Sequence, residues 1–128
     1  MTSAPLTIAL AFLRAMEAKD YAAAKPFLAD DISYTNGPMT TVSGPEAVLA
    51  ILEPFFAPIE ENDFVIEASA VNEDRVFLQR LDRHRVSAGW FELPVTGVFV
   101  IRDGRISVWQ EYFDLATIQN AMTRLLDG

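Results

Sequence analysis

Three short stretches of this sequence set polar side chains among apolar ones at two-residue spacing. In Arg75 to Val86, the alternate residues Val76, Leu78, Arg80, Asp82 and His84 fall on one face of a strand, so two apolar positions run into charged ones. In Arg105 to Phe113, the alternate residues Trp109, Glu111 and Phe113 place a carboxylate between two aromatic rings, and Tyr34 and Asn36 share a face in the same manner. One arginine with two carboxylates is a set that can pair, which is the condition for tolerating charge in apolar surroundings. The sequence has no cysteine and one histidine. Thiolate nucleophiles, disulfides and Cys/His zinc cages are therefore excluded, and His84 alone would have to serve any serine triad. The chemistry left is that of carboxylates, tyrosines, amides and arginines.

Each stretch also has a plain structural explanation. Arg80 and Asp82 suit a solvated ion pair, worth little. Glu111 suits an exposed face, with Trp109 and Phe113 at a dimer contact. Asn36 precedes Gly37-Pro38, where turn chemistry alone favours asparagine. Three such interruptions in one chain are harder to explain this way than one.

The elements that must position these residues follow from periodicity. Leu6, Ala9, Leu10, Leu13 and Met16 recur at helical spacing in the first segment, which predicts a soluble amphipathic helix, neither signal peptide nor membrane span. Asp20 is placed to cap a short second helix carrying Tyr21, Phe27 and Leu28. Ile32 to Asn36 reads as a strand. Ser43-Gly44-Pro45-Glu46 reads as a capping box opening a third helix, with Val48, Leu49, Leu52, Phe55 and Phe56 on its buried face and Pro58 placed to stop it. From Phe64 the pattern turns to strands: Phe64 to Val71, Arg75 to Val86, Trp90 to Ile101 and Arg105 to Phe113. Their short connections, Asn72-Glu73-Asp74 and Arg102-Asp103-Gly104, predict an antiparallel meander. Asp114 then caps a last helix whose apolar side holds Leu115, Ile118, Met122 and Leu125. Helices followed by long strands imply an α+β fold, a strongly curved antiparallel or mixed sheet with three to four helices on one face, forming a cup.

At 128 residues, with 51% hydrophobic side chains and no linker or repeat, the chain is expected to be one domain, residues 1–128, with a real core. The net charge of −8 argues against nucleic acid and anionic membranes as partners, because both require a cationic surface. Scattered carboxylates lack the dense spacing of calcium loops, so no metal site is expected. With no targeting segment read, a cytoplasmic location is the default.

Beyond patterning, the sequence resembles the limonene-1,2-epoxide hydrolase family, a SnoaL-like group of the nuclear transport factor 2-like fold. The resemblance is carried by Arg80-Leu81-Asp82, Leu93-Pro94-Val95-Thr96-Gly97-Val98-Phe99, Asp103-Gly104-Arg105-Ile106, Trp109, Tyr112-Phe113-Asp114 and, upstream, Tyr34-Thr35-Asn36. It implies a cup-shaped fold with a conical pocket, no cofactor, and a homodimer. It further implies that Asp82 is the general acid on the epoxide oxygen, that Arg80 holds the two carboxylates in register, and that Tyr34 and Asn36 hold the attacking water. The base is the carboxylate before Tyr112. The family string is Trp-Arg-Asp-Tyr-Phe-Asp, whereas this chain has Trp109-Gln110-Glu111-Tyr112-Phe113-Asp114, so the base is Glu111, longer by one methylene. Parity points Gln110 away from it.

The function implied is addition of water to a small, mostly apolar epoxide to give a vicinal diol. Leu93 and Val95 are expected in the pocket wall, with Phe55 and Leu52 from the third helix and His84 near the rim, where it touches substrate or is merely a hydrogen-bonded strand histidine. Two like carboxylates in a desolvated cup are expected to share one proton. The alternatives are a ketosteroid-isomerase-like or polyketide-cyclase-like enzyme on the same fold, and a non-catalytic ligand-binding module. A covalent epoxide hydrolase is disfavoured, as neither a nucleophile elbow nor a histidine base is evident.

Overall fold

A computed structural model describes residues 3–127. The chain runs α1 (Ala4–Glu17), α2 (Tyr21–Ala24), a 3₁₀ turn (Lys25–Phe27), β1 (Leu28–Asn36), β2 (Val42–Ser43), α3 (Pro45–Phe56), β3 (Glu61–Asn72), β4 (Arg75–Val86), β5 (Gly89–Arg102), β6 (Arg105–Tyr112) and α4 (Leu115–Asp127). The six strands make one sheet in the order β2-β1-β6-β5-β4-β3. β3 to β6 are successive antiparallel neighbours, as short turns require, whereas β1 runs parallel to β6 and the sheet is mixed. The β5–β6 turn places Asp103 and Gly104 both at positive φ, 52° and 77°, the backbone that an Asp-Gly hairpin turn supplies. Register shifts between Leu28 and Ser33, Ile66 and Ala68, and Val100 and Ile101 bend the strands locally.

Helix α1 buries Ala9, Phe12, Leu13 and Met16 against Val76, Leu78, Phe99, Ile106 and Trp109 of the sheet. Helix α3 packs on β1, and α4 on β5. Ile118 and Ala121 of α4 form a second, smaller core with Phe91, Leu93 and Val95. No helix among the described residues is long and apolar enough to cross a membrane.

Asp20 caps α2 as expected, accepting from the Ala23 N–H at 3.1 Å. Four local expectations are corrected. Leu28 leaves the second helix and opens β1, because Pro26 and the 3₁₀ turn end the helical run at Ala24. Ser43 does not cap α3: it pairs with Ser33 in the β2–β1 ladder, Gly44 is the N-cap without a side-chain bond, and Glu46 pairs with Lys25 at 2.9 Å. β3 starts at Glu61, three residues before the apolar pattern, since β4 extends far enough to pair with it. In α4 the inward position belongs to Ala121, three residues after Ile118 on the same helical face, and Met122 is exposed.

Candidate active site

Strand parity carries Arg80, Asp82 and His84 to the helix-covered face of β4, and β6 brings Glu111 to the same face. All four are buried: Arg80 and His84 are 2% exposed, Asp82 and Glu111 each 7%. The solvated-pair explanation for Arg80 therefore does not hold. Its guanidinium is forked onto both carboxylates. Nε donates to Asp82 Oδ1 at 3.0 Å and Nη2 to Oδ2 at 2.9 Å, while Nη1 donates to Glu111 Oε2 at 3.2 Å and Nη2 to Oε1 at 2.5 Å. A planar five-donor guanidinium suits this double grip, where an ammonium could not serve two carboxylates edge-on.

Tyr34 and Asn36 arrive from β1. In the parallel β1–β6 ladder Tyr34 stands opposite Trp109 and Asn36 opposite Glu111, so the phenol and amide lie one strand away from the carboxylate. The three acid–arginine partners bond to one another, leaving the Tyr34 hydroxyl and Asn36 amide outside that network. Tyr34 stacks on Trp109 with ring centroids 4.3 Å apart, and Phe12 meets Trp109 edge-on at 5.0 Å.

The electrostatics follow from burial. Glu111 is raised above the ordinary glutamate range by desolvation, against the opposing pull of Arg80. Burial works against a charged guanidinium as well, but the two carboxylates outweigh it and hold Arg80 above its usual value. Tyr34 is raised by burial and then by the nearby Glu111 charge, so it remains a phenol. His84 is pushed down to about 4, chiefly by burial. Trp109 Nε1 is buried with no acceptor in hydrogen-bonding geometry, although its proximity to Glu111 lowers that carboxyl slightly.

These groups open on one cavity between the two cores. All ten residues singled out in the sequence line it: Arg80, Asp82, Glu111, Tyr34, Asn36, His84, Leu93, Val95, Phe55 and Leu52. His84 is corrected in one respect. It is buried rather than at the rim, bonded through Nδ1 to Asn62 Oδ1 at 2.7 Å. Asn62 was missed because Glu60-Glu61-Asn62-Asp63 looks like a loop; its parity with Phe64 was the available signal. Gly97 was also missed, though a glycine inside a strand marks a close approach. Among the described residues, no group of three or more His, Asp or Glu side chains is arranged to hold a metal ion.

An arginine shared between two buried carboxylates, with a tyrosine and an amide on the adjacent strand, is the arrangement that the family resemblance implies. The profile of the limonene-1,2-epoxide hydrolase catalytic domain matches residues 3–124. The chain belongs to the limonene-1,2-epoxide hydrolase family. It is 26% identical over 116 residues to epoxide hydrolase EphG of Mycobacterium tuberculosis, covering 89% of this chain and 76% of that protein. A solved structure of an M. tuberculosis LEH-like epoxide hydrolase superposes with a TM-score of 0.83 at 25% identity, over 98% of this chain and 93% of the other. A SnoaL-like protein of Shewanella denitrificans gives 0.84 at 16% identity over 94% and 97%, which speaks for the fold alone. An NTF2-like protein of Burkholderia pseudomallei gives 0.85 at 18% over 95% and 99%. The α+β cup expected from patterning is thus the nuclear transport factor 2-like fold, carrying the family's epoxide hydrolase domain.

Proposed function

We propose that this limonene-1,2-epoxide hydrolase family member is a cofactor-independent enzyme that adds water to a small, mostly apolar epoxide in one step, releasing a vicinal diol. The observation that carries this reading is the Arg80 fork, which fixes two carboxylates on one wall of a cavity lined largely by apolar side chains. Asp82 gives its proton to the epoxide oxygen as the ring C–O bond breaks. Water held by Tyr34 and Asn36 attacks the ring carbon and yields a proton to Glu111. One carboxylate then holds the proton that the other lost, and the cycle closes when that proton crosses the pair.

The supporting physics is specific. Burial moves Glu111 above the ordinary glutamate range, the direction that strengthens a carboxylate as a base, with Arg80 pulling against it. Acid and base assistance are each worth about 10²–10⁴-fold, enough for a strained ring without a metal. Leu52, Phe55, Leu93 and Val95 supply an apolar wall that favours a neutral substrate. An isomerase on this fold needs one carboxylate base and an oxyanion donor, with no use for an arginine gripping two acids.

Two copies are proposed to pair through the outer face of the sheet. There the cross-strand row Ala70, Phe77, Val98 and Gln110 is uncharged, and Phe77 and Tyr112 are exposed. The catalytic reading is tested with a panel of terpene and cycloalkene epoxides in ¹⁸O-labelled water. Diols carrying one label are expected; a folded protein that forms no diol from any of them overturns it.

A further inference from the structure

One polar group of the cavity has no part in this chemistry. His84 is the next inward residue after Asp82 on β4, and its Nδ1 lies 2.7 Å from Asn62 Oδ1. Asn62 is itself fixed, because its Nδ2 donates to the main-chain carbonyl of Glu17 at 3.2 Å. A carbonyl only accepts, so the amide must turn its NH₂ toward Glu17 and its oxygen toward His84. That oxygen also only accepts, so the proton of the neutral imidazole sits on Nδ1. Burial pushes the ring down to about 4, against the pull of Asp82 and with the help of Arg80, so it is neutral near pH 7. Nε2 is left as a bare acceptor.

The position of Nε2 gives this consequence. Among the described residues His84 is bonded through Nδ1, and Nε2 bonds to none of them. The ring that carries it lines the cavity. Its neighbours are Phe91, Phe55, Phe64 and Phe56, with ring centroids 5.0, 5.6, 6.0 and 6.1 Å away, and none of these side chains can donate a hydrogen bond to it. An acceptor oriented by two successive bonds and walled by rings is selective for a ligand that brings its own O–H.

We infer that His84 Nε2 is a fixed hydrogen-bond acceptor for a hydroxyl group on the substrate, so that the preferred epoxide is an epoxy alcohol rather than a bare hydrocarbon epoxide. Two residues along a strand separate the Cα atoms of Asp82 and His84 by about 7 Å, so both side chains reach the same cavity wall. The inference rests on the hydrolase reading for the word epoxide; recognition of the hydroxyl does not depend on turnover.

The experiment uses three cyclohexane oxides bearing a 4-hydroxymethyl, 4-methoxymethyl or 4-ethyl group, with the corresponding ring-saturated compounds lacking the epoxide. NMR titration with the saturated set reads binding without chemistry. The alcohol is expected to bind about tenfold more tightly than the ether, a ratio that falls to near one in His84→Leu. kcat/KM for diol formation follows the same order. Because the chain has one histidine, nitrogen NMR of the wild type gives an answer even if His84→Leu fails to fold: protonated Nδ1, bare Nε2, and an Nε2 signal that moves with the alcohol and not with the ether. Equal binding of alcohol and ether, or an Nε2–H tautomer, overturns the inference. Absence of diol with the tenfold binding ratio intact overturns the hydrolase reading instead.

Discussion

Replacing Gly97 by alanine tests how tightly the fork is held. Gly97 lies on β5 directly across from Glu111 on β6 and Leu78 on β4, and the Arg80–Glu111 pair occupies the space its side chain would need. A Cβ there would lie 2.6 Å from Arg80 Nη1, 3.1 Å from Phe99 Cε1, and in overlap with Glu111 Oε2. To reach an ordinary contact of 3.4 Å, the guanidinium nitrogen must retreat by about 0.8 Å. Neither side chain is free to swing, since Arg80 is bonded to both carboxylates and all three groups are buried. A shift near 1 Å in catalytic groups costs on the order of 100-fold in rate, or about 2.7 kcal/mol. Overpacking removes a further 1–3 kcal/mol or so of fold stability. The assay is kcat/KM for labelled diol together with the urea unfolding midpoint. Adding Glu111→Asp withdraws the carboxylate by roughly a bond length, so the double variant regains part of the stability lost by Gly97→Ala alone, a coupling of about 0.5–3 kcal/mol. A Gly97→Ala protein with native turnover and native midpoint refutes the reasoning.

Further expectations concern acid–base roles, pH and assembly. Asp82→Asn and Glu111→Gln each lower turnover by about 10²–10⁴-fold with the circular dichroism unchanged; near-native activity in either removes that residue from the chemistry. His84 stands at about 4 when folded against 6.5 ordinarily, so its contribution to stability is complete above pH 6.5 and lost as pH falls toward 4, on the order of 3 kcal/mol. Glu111 runs the opposite way, its raised value favouring the folded state at low pH and costing stability as pH rises. Urea midpoints of wild type and His84→Leu, compared at about pH 7 and about pH 4.5, isolate the histidine; parallel curves contradict this assignment. Phe77→Glu, on the outer sheet face, yields monomers in sedimentation velocity with the fold retained, and an unchanged dimer peak moves the interface elsewhere.

Much of the site was legible because strand alternation is a strict rule: once Val76 and Leu78 face the core, Arg80, Asp82 and His84 must follow. The same rule delivered Trp109 with Glu111. It could not deliver the fork itself, because the meeting of Arg80 with Glu111 depends on register across two strand pairings, which no local pattern encodes. Asn62 escaped for a related reason. Its neighbours are acidic and polar, and only pairing with His84 on β4 makes it part of a strand. The parallel β1–β6 ladder is likewise non-local. At helix starts the misreading at Ser43 has a different cause, since a good capping sequence lost to a backbone bond from Gly44 N–H to the Ile32 carbonyl at 2.9 Å and a two-residue ladder.

That strand order has a consequence in time as well as in space. β6, the last of the six strands in chain order, lies in the interior of the sheet between β1 and β5. Until residues 105–112 have been made and inserted, β1 has only the two-residue β2 beside it, and Tyr34 and Asn36 have no carboxylate opposite them. Contacts across such long sequence separations form slowly, because the intervening loop must close before any pairing rewards it. The Arg80–Asp82 pair lies within β4 alone, whereas the second carboxylate of the fork, Glu111, comes only with β6. That one strand both joins β1 to the meander and closes the Arg80 fork.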